Sequence, residues 1–154
     1  MPKKAKALVE KEEVVEEVKP KAKSGNDLYR AVGRRKRAIA RVWLKLGKGA
    51  ISVNGKPMEE YFASLKNSKQ LEEPFRVVNR LGQMEGEIKV EGGGLVAQAG
   101  AVLHGISRAL LAYDETMRSG LSKRKLLTRD SRVKERRKYG RAGKARARKQ
   151  SPKR

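Results

Sequence analysis

The chain has no cysteine, one tryptophan, two phenylalanines and a single histidine. Without cysteine there is no disulfide framework, no thiolate metal site and no thiol nucleophile, which suits a reducing compartment. Aromatics at 5% of residues leave a small, aliphatic core. No run approaches the roughly 18 apolar residues of a membrane span. The N-terminus lacks the apolar centre of a secretory signal, and Glu10, Glu12, Glu13, Glu16 and Glu17 do not suit an acid-poor transit peptide. Neither a leader nor a membrane is therefore expected.

Negative charge is the other scarce commodity. Lys and Arg number 39 against 17 acidic residues, for a net charge of +22 over 154 residues. Such a surplus repels itself in isolation. It becomes favourable when a polyanion neutralises it and releases condensed counterions, the sequence-independent part of nucleic-acid binding. An anionic membrane would call for an amphipathic helix rich in Trp and Phe, which this composition does not supply. The surplus is also lopsided. Residues 1–24 hold seven basic and five acidic groups, residues 25–121 sixteen and ten, and residues 122–154 sixteen and two. This predicts a disordered Lys/Glu-rich extension over 1–26, a globular body over 27–124 and an extended basic tail over 125–154.

Within the body, Leu28 to Val32 reads as strand, interrupted by Gly33-Arg34-Arg35-Lys36-Arg37. Ala40, Val42, Leu44 and Leu46 then share one face of a period-2 run, opposite Ile39, Arg41, Trp43 and Lys45. Gly47-Lys48-Gly49 and the following Ile51-Ser52-Val53 predict a hairpin over 38–53, closed by Asn54-Gly55. Pro57 suits the first turn of a short helix through Met58, Tyr61 and Phe62. Leu71, Phe75, Val78 and Leu81 predict a second helix over 69–81, provided that Pro74 falls in its first turn. Residues 85–91 read as strand, with Ile88 and Val90 inward, and Gly92-Gly93-Gly94 ends it. A long helix follows, with Leu95, Ala99, Val102, Leu103, Ile106, Leu110 and Tyr113 as its apolar stripe. Gly100 and Gly105 inside it predict close approach to another backbone. The order implies an α+β fold, a mixed sheet with helices packed on one face.

Four consecutive cations, Arg34 to Arg37, stand where a strand bends, and guanidinium forks match phosphate oxygens. The glycine triplet could offer amides to an anion, though no Gly-Lys-Ser/Thr follows to make a nucleotide-triphosphate loop. His104 has no second His, Cys or acidic pair at ligand spacing; it packs at the helix edge or meets RNA. Asp114 and Glu115 at the end of the long helix, and Glu59 and Glu60 at the start of the short one, form no acid–base dyad, and ion pairing with nearby Arg is the expected role. From Ser122 onward a cation stands at nearly every second position with no apolar face to fold against. Such a segment is ordered by the polyanion around it.

Together these pieces resemble the bacterial-type small-subunit ribosomal protein nine family. The likeness rests on Gly33-Arg34-Arg35-Lys36, Ile51-Ser52-Val53-Asn54-Gly55, Glu60-Tyr61-Phe62, Val90-Glu91-Gly92-Gly93-Gly94 and Gln98-Ala99-Gly100-Ala101. It continues through His104-Gly105-Ile106-Ser107-Arg108-Ala109-Leu110, Leu127-Thr128-Arg129-Asp130, Glu135-Arg136-Arg137-Lys138 and the final Lys153-Arg154. The resemblance implies a body like the second domain of ribosomal protein five, housed in the cytoplasmic small subunit's head. Its implied partners are small-subunit ribosomal RNA, other head proteins and the anticodon stem-loop of peptidyl-site tRNA. Ribosomal RNA contact then falls on Arg34, Arg35, Lys36 and Arg37, on Lys123, Arg124, Lys125, Arg129, Arg132, Arg136, Arg137 and Lys138, and on Arg141, Lys144, Arg146, Arg148 and Lys149. Lys153 and Arg154 take the tRNA contact. The N-terminal extension falls outside the likeness. Pro152 stands where members usually run directly from Ser to Lys-Arg, and it biases Ser151 toward extended geometry.

Two other classes share some of these features. A nucleoid-type DNA binder would place its cations on a groove-reading helix or ribbon. An RNA-processing enzyme would need a carboxylate cluster or an activated nucleophile. The cations here sit on a turn and an extended tail, and no such cluster or nucleophile is visible, so a non-enzymatic RNA-binding protein without cofactors or metal is expected.

Overall fold

The computed structural model describes residues 28–65, 68–134 and 136. The extension expected over 1–26 and the tail beyond Arg136 lie outside them.

Alternation of small and apolar residues with charged ones builds the first two strands, β1 (Tyr29–Arg35) and β2 (Ala38–Leu46). They pair antiparallel from Tyr29↔Leu44 to Arg35↔Ala38, so Lys36 and Arg37 are the entire turn. Then come β3 (Ile51–Val53) and β4 (Lys56–Pro57), joined by Asn54-Gly55. Both turn residues hold positive φ, 50° and 81°, the geometry that favours Asn-Gly in a two-residue hairpin. Helix α1 (Met58–Tyr61) starts at Pro57, and a 3-10 turn (Ser68–Glu72) leads into α2 (Glu73–Val77), with Pro74 in its first turn as required. Strand β5 (Met84–Glu91), the long helix α3 (Leu95–Tyr113), a 3-10 turn (Glu115–Met117) and α4 (Arg118–Lys123) complete the order.

The sheet order is β1-β2-β5-β3-β4, with β3 parallel to β5 and the other pairs antiparallel. The hairpin expected over 38–53 is therefore not formed. Strand β5 takes the slot beside β2, from Ile39↔Glu91 to Leu46↔Met84, whereas β3 offers only three residues, Ile51 to Val53. The longer ladder buries Met84, Ile88 and Val90. It also sets Glu85 beside Lys45 at 2.7 Å. A local turn does not compete with that burial.

Two more expectations move. Strand β1 continues through Gly33, Arg34 and Arg35 where an interruption was expected. The second helix stops at Val77: Asn79 turns left-handed at φ 52°, and Leu81 is left exposed.

Helix α3 packs against β1 and β2, so the helices cover one face of the sheet. Its buried residues are Ala97, Ala101, Val102, Gly105, Ile106, Ser107, Ala109 and Leu110. The expected stripe is thus rotated: Val102, Ile106 and Leu110 are central, but Leu95 is exposed and Ala99, Leu103 and Tyr113 are only partly buried. Gly105 rather than a larger residue meets the sheet at Gly33, because there the two backbones nearly touch. The buried Ser107 hydroxyl donates to Leu103 O at 2.8 Å, which satisfies it inside the helix. At 19 residues α3 is also long and apolar enough to cross a membrane by composition, contrary to the sequence expectation. Here that apolarity is spent on the sheet.

Candidate nucleic-acid interface

Strand β1 is an edge of the sheet. Two of its outward backbone groups are bonded by side chains of α3, which blunts that part of an edge that could otherwise pair with another chain. His104 Nδ1 accepts from Arg34 N at 3.4 Å, and the Arg108 guanidinium donates to Val32 O at 2.5 Å. This is possible because Gly33 and Gly105 let strand and helix meet. The Leu127 backbone also lies against the His104 imidazole, which thus stands where β1, α3 and the start of the tail meet. Burial is the main reason its pKa lies below the ordinary 6.5, with the nearby Arg108 cation adding to the effect.

The tail begins from a capped helix end. Leu126 N bonds Leu121 O at 3.1 Å and Lys125 N bonds Ser122 O at 2.8 Å, with Lys125 left-handed at φ 57°. These are the paired bonds of a Schellman cap, and the accompanying apolar contact is supplied by the buried Leu121 and Leu126. The chain then runs back along α3, from Leu127 beside His104 to Asp130 beside Arg35, and on to Val133 near Ala97. Asp130 accepts from Arg132 N, Nε and Nη2 at 3.0, 2.9 and 2.8 Å and pairs with Arg35 at 3.6 Å. The Arg132 hydrogen bonds, with the Arg35 charge behind them, hold its carboxyl well below the usual carboxylate range.

The four consecutive cations do not form one patch. Alternation along β1 puts the exposed Arg34 on the open face of the sheet and Arg35 on the helix side, over Gly100. Arg35 is partly buried, and its Nε has no hydrogen-bond partner among the described residues. Lys36 and Arg37 stand exposed at the turn. Lys123, Arg124, Lys125, Arg129, Arg132 and Arg136 are exposed along the tail. Arg137, Lys138, Arg141, Lys144, Arg146, Arg148, Lys149, Lys153 and Arg154 lie outside the described residues.

Charge is sorted between two regions. On the open face of β2 and β5 cations are met by carboxylates, Arg41 by Glu91 at 2.7 Å, Lys45 by Glu85 at 2.7 Å, and Lys89 by Glu87 at 3.6 Å, while Arg30 and Arg34 of β1 enter no ion pair among the described residues. Along the turn and tail, among the described residues, Lys36, Arg37, Lys123, Arg124, Lys125, Arg129, Lys134 and Arg136 enter no ion pair. Where the tail passes the turn, Lys36, Arg37, Lys134 and Arg136 line a cleft of about 590 Å³. One wall is the glycine loop, held from behind by hydrogen bonds among the sequence motifs. Asn54 grips both backbone groups of Val90 at 2.9 and 3.1 Å, Tyr61 donates to Gln98 at 3.1 Å, and Gln98 donates to Gly92 O at 3.2 Å.

Sequence reasoning missed Asp130 and Arg108 as organisers of this edge. The isolated acid within a basic tail was the available signal for Asp130; nothing local marks Arg108. Of the four carboxylates expected to pair with Arg, Glu115 does so with Arg118 at 3.8 Å, while Glu59 and Glu60 enter no ion pair among the described residues. Asp114 instead accepts from Thr116 N at 2.9 Å and caps the next turn.

An α+β body that leaves most described cations of its turn and proximal tail without an ion-pair partner describes a structural RNA-binding protein. Residues 33–154 match the family of ribosomal protein S9/S16, and the chain belongs to that family. It is a non-enzymatic structural constituent of the small ribosomal subunit, in the cytoplasm, and binds ribosomal RNA.

Proposed function

We propose that the turn and tail carry the ribosomal RNA contact, and that the tail continues from there to peptidyl-site tRNA. In this reading residues 1–26 are a disordered extension, 27–124 the body and 125–154 the tail. Lys36 and Arg37, with Arg34 beside them and Arg35 behind, grip phosphates at the turn. Lys123, Arg124, Lys125, Arg129, Arg132, Arg136, Arg137 and Lys138 continue that track, and Arg141, Lys144, Arg146, Arg148 and Lys149 line the distal tail. Lys153 and Arg154 bring charge to the anticodon stem-loop, and other head proteins flank the body. The observation that carries the reading is the sorting of charge: carboxylates meet the cations of β2 and β5 on the sheet's open face, while among the described residues of the turn and proximal tail only Arg35 and Arg132 find a carboxylate, Asp130. Cations left unpaired in this way repel one another unless phosphate neutralises them.

Reach supports the tRNA contact. From Arg136 to Arg154 an extended chain covers about 60 Å at about 3.3–3.6 Å per residue. Holding it extended costs about 1–2 kcal/mol of backbone entropy per residue, which phosphate contacts along the route offset. Removing Lys153 and Arg154 alone should leave subunit assembly near normal and reduce tRNA retention in the peptidyl site, more visibly at higher salt. Removing 129–154 should impair assembly itself. Equal tRNA binding by full-length and two-residue-truncated subunits across a salt series would remove the tRNA role.

A further inference from the structure

We propose that the cleft between the β1–β2 turn and the proximal tail holds a single unpaired ribonucleotide, its base on an apolar floor and its flanking phosphates on a cationic rim. The proposal rests on the RNA-binding reading above and adds to it a ligand unit and a place.

Four cations from two separate segments converge here, Lys36 and Arg37 from the turn and Lys134 and Arg136 from the tail. No described carboxylate lines the cleft, and none of the four is in an ion pair among the described residues. That alone would be a phosphate-binding surface. Two further features call for more than phosphate. The volume, about 590 Å³, falls within the about 300–1,000 Å³ of pockets that enclose an organic ligand. The floor, moreover, is apolar, formed by Ala97 of α3 and Val133 of the tail. Val133 is 57% exposed, a bare aliphatic side chain in the most cationic part of the molecule. Phosphate contacts give it nothing to cover, whereas a nucleobase does.

The glycine loop makes the approach possible. Gly92 and Gly93 are left-handed at φ 71° and 68°, which carries the backbone tightly past the turn. A side-chain carbon on Gly94 would meet nothing within 4 Å, so the cleft mouth is open at that point. Unpaired bases in loops and bulges can be splayed out in this way and packed against protein, whereas bases within an A-form helix cannot. Packing against Ala97 and Val133 reads no base edge, so that contact accepts any base.

The test compares full-length protein binding to three RNA hairpins by fluorescence anisotropy at fixed salt. One is fully paired, one carries a single bulged nucleotide, and one carries an abasic ribose at the bulge. Covering the exposed Val133 side chain with a base removes apolar surface from water, so the bulged hairpin should bind up to about tenfold more tightly than the other two. Val133→Ser should shrink that preference to about threefold or less, with affinity for the paired hairpin unchanged; circular dichroism confirms that the variant is folded. Lys36→Gln with Arg136→Gln should weaken all three hairpins. Equal binding of the three hairpins by the wild-type chain overturns the cleft assignment and leaves RNA binding intact. Failure to bind any hairpin overturns both readings. Adenosine monophosphate is the control for a free ligand: millimolar competition fits an RNA strand, and micromolar binding would assign the cleft to a free nucleotide instead.

Discussion

Gly33 of β1 lies directly against Gly105 of α3: a side-chain carbon on Gly33 would sit 2.8 Å from the Gly105 Cα and closer still to its backbone nitrogen. Contact this close between a strand and a helix leaves no room for a methyl group. It also sets His104 and Arg108 within reach of the β1 edge, so the glycine pair underlies the helix–edge bonds as well as the core.

Gly33→Ala or Gly105→Ala should therefore destabilise the body by at least the about 1–3 kcal/mol typical of overpacking. The clash partners of Gly33 are backbone atoms, which cannot rotate aside, so Gly33→Ala should be the worse of the two. Thermal denaturation followed by circular dichroism measures the difference. Equal stability of both variants and wild type would mean that the strand–helix spacing is wider than described.

Truncations along α3 separate its buried face from its exposed one. Ile106 and Leu110 are fully buried, so either one changed to Ala should cost about 2–5 kcal/mol through lost burial and a residual cavity. Leu95 is 41% exposed, and its truncation should stay within about 0.5 kcal/mol, as at other surface sites. Chemical denaturation of the three variants checks the rotation of the helix face.

Stability should fall in mild acid because of His104. Its folded pKa lies below the ordinary 6.5, so the unfolded chain takes up protons first as pH drops. The neutral imidazole's contribution is fully present above the unfolded pKa and is lost as pH falls from 6.5 through the folded pKa. Replacing His104 with Gln should flatten that part of the profile, measured as denaturation midpoints across about pH 4.5–8.5 (two units either side of an ordinary histidine).

The turn cations and Arg35 should separate in binding experiments. Lys36→Gln with Arg37→Gln should lower the salt slope of RNA binding by up to about 0.9 per lost duplex-phosphate contact, and by less on irregular RNA. Arg35 is tied to Asp130, so Arg35→Gln should change the slope less and instead speed amide exchange over Leu127 to Arg132. A larger slope change from Arg35 than from the turn pair would reverse their roles.

Removing the left-handed strain at Lys36 separates its charge from its backbone. At φ 51° a residue with a side chain pays a steric penalty that glycine does not. Lys36→Gly should leave the melting temperature unchanged or raised while weakening RNA binding. A lowered melting temperature would mean that the lysine stem packs on the body.

Much of this was legible in the chain itself. Net charge and its concentration after Ser122 named the partner class without any fold. Period-2 alternation marked the buried face of β2, and helical spacing located α3 to within its observed ends, because both patterns are set by local backbone geometry. Asn54-Gly55 and Pro74 were readable for the same reason. What the sequence could not decide is which elements become neighbours. The insertion of β5 between β2 and β3 depends on the apolar area that the longer ladder buries, a comparison between segments far apart in the chain. The same holds for the rotation of α3, which is set by where Gly33 meets Gly105. It holds too for the splitting of Arg34 and Arg35 between opposite faces, and for the meeting of Asp130 with Arg35. Local propensity assigns each residue a conformation; only packing assigns it a partner.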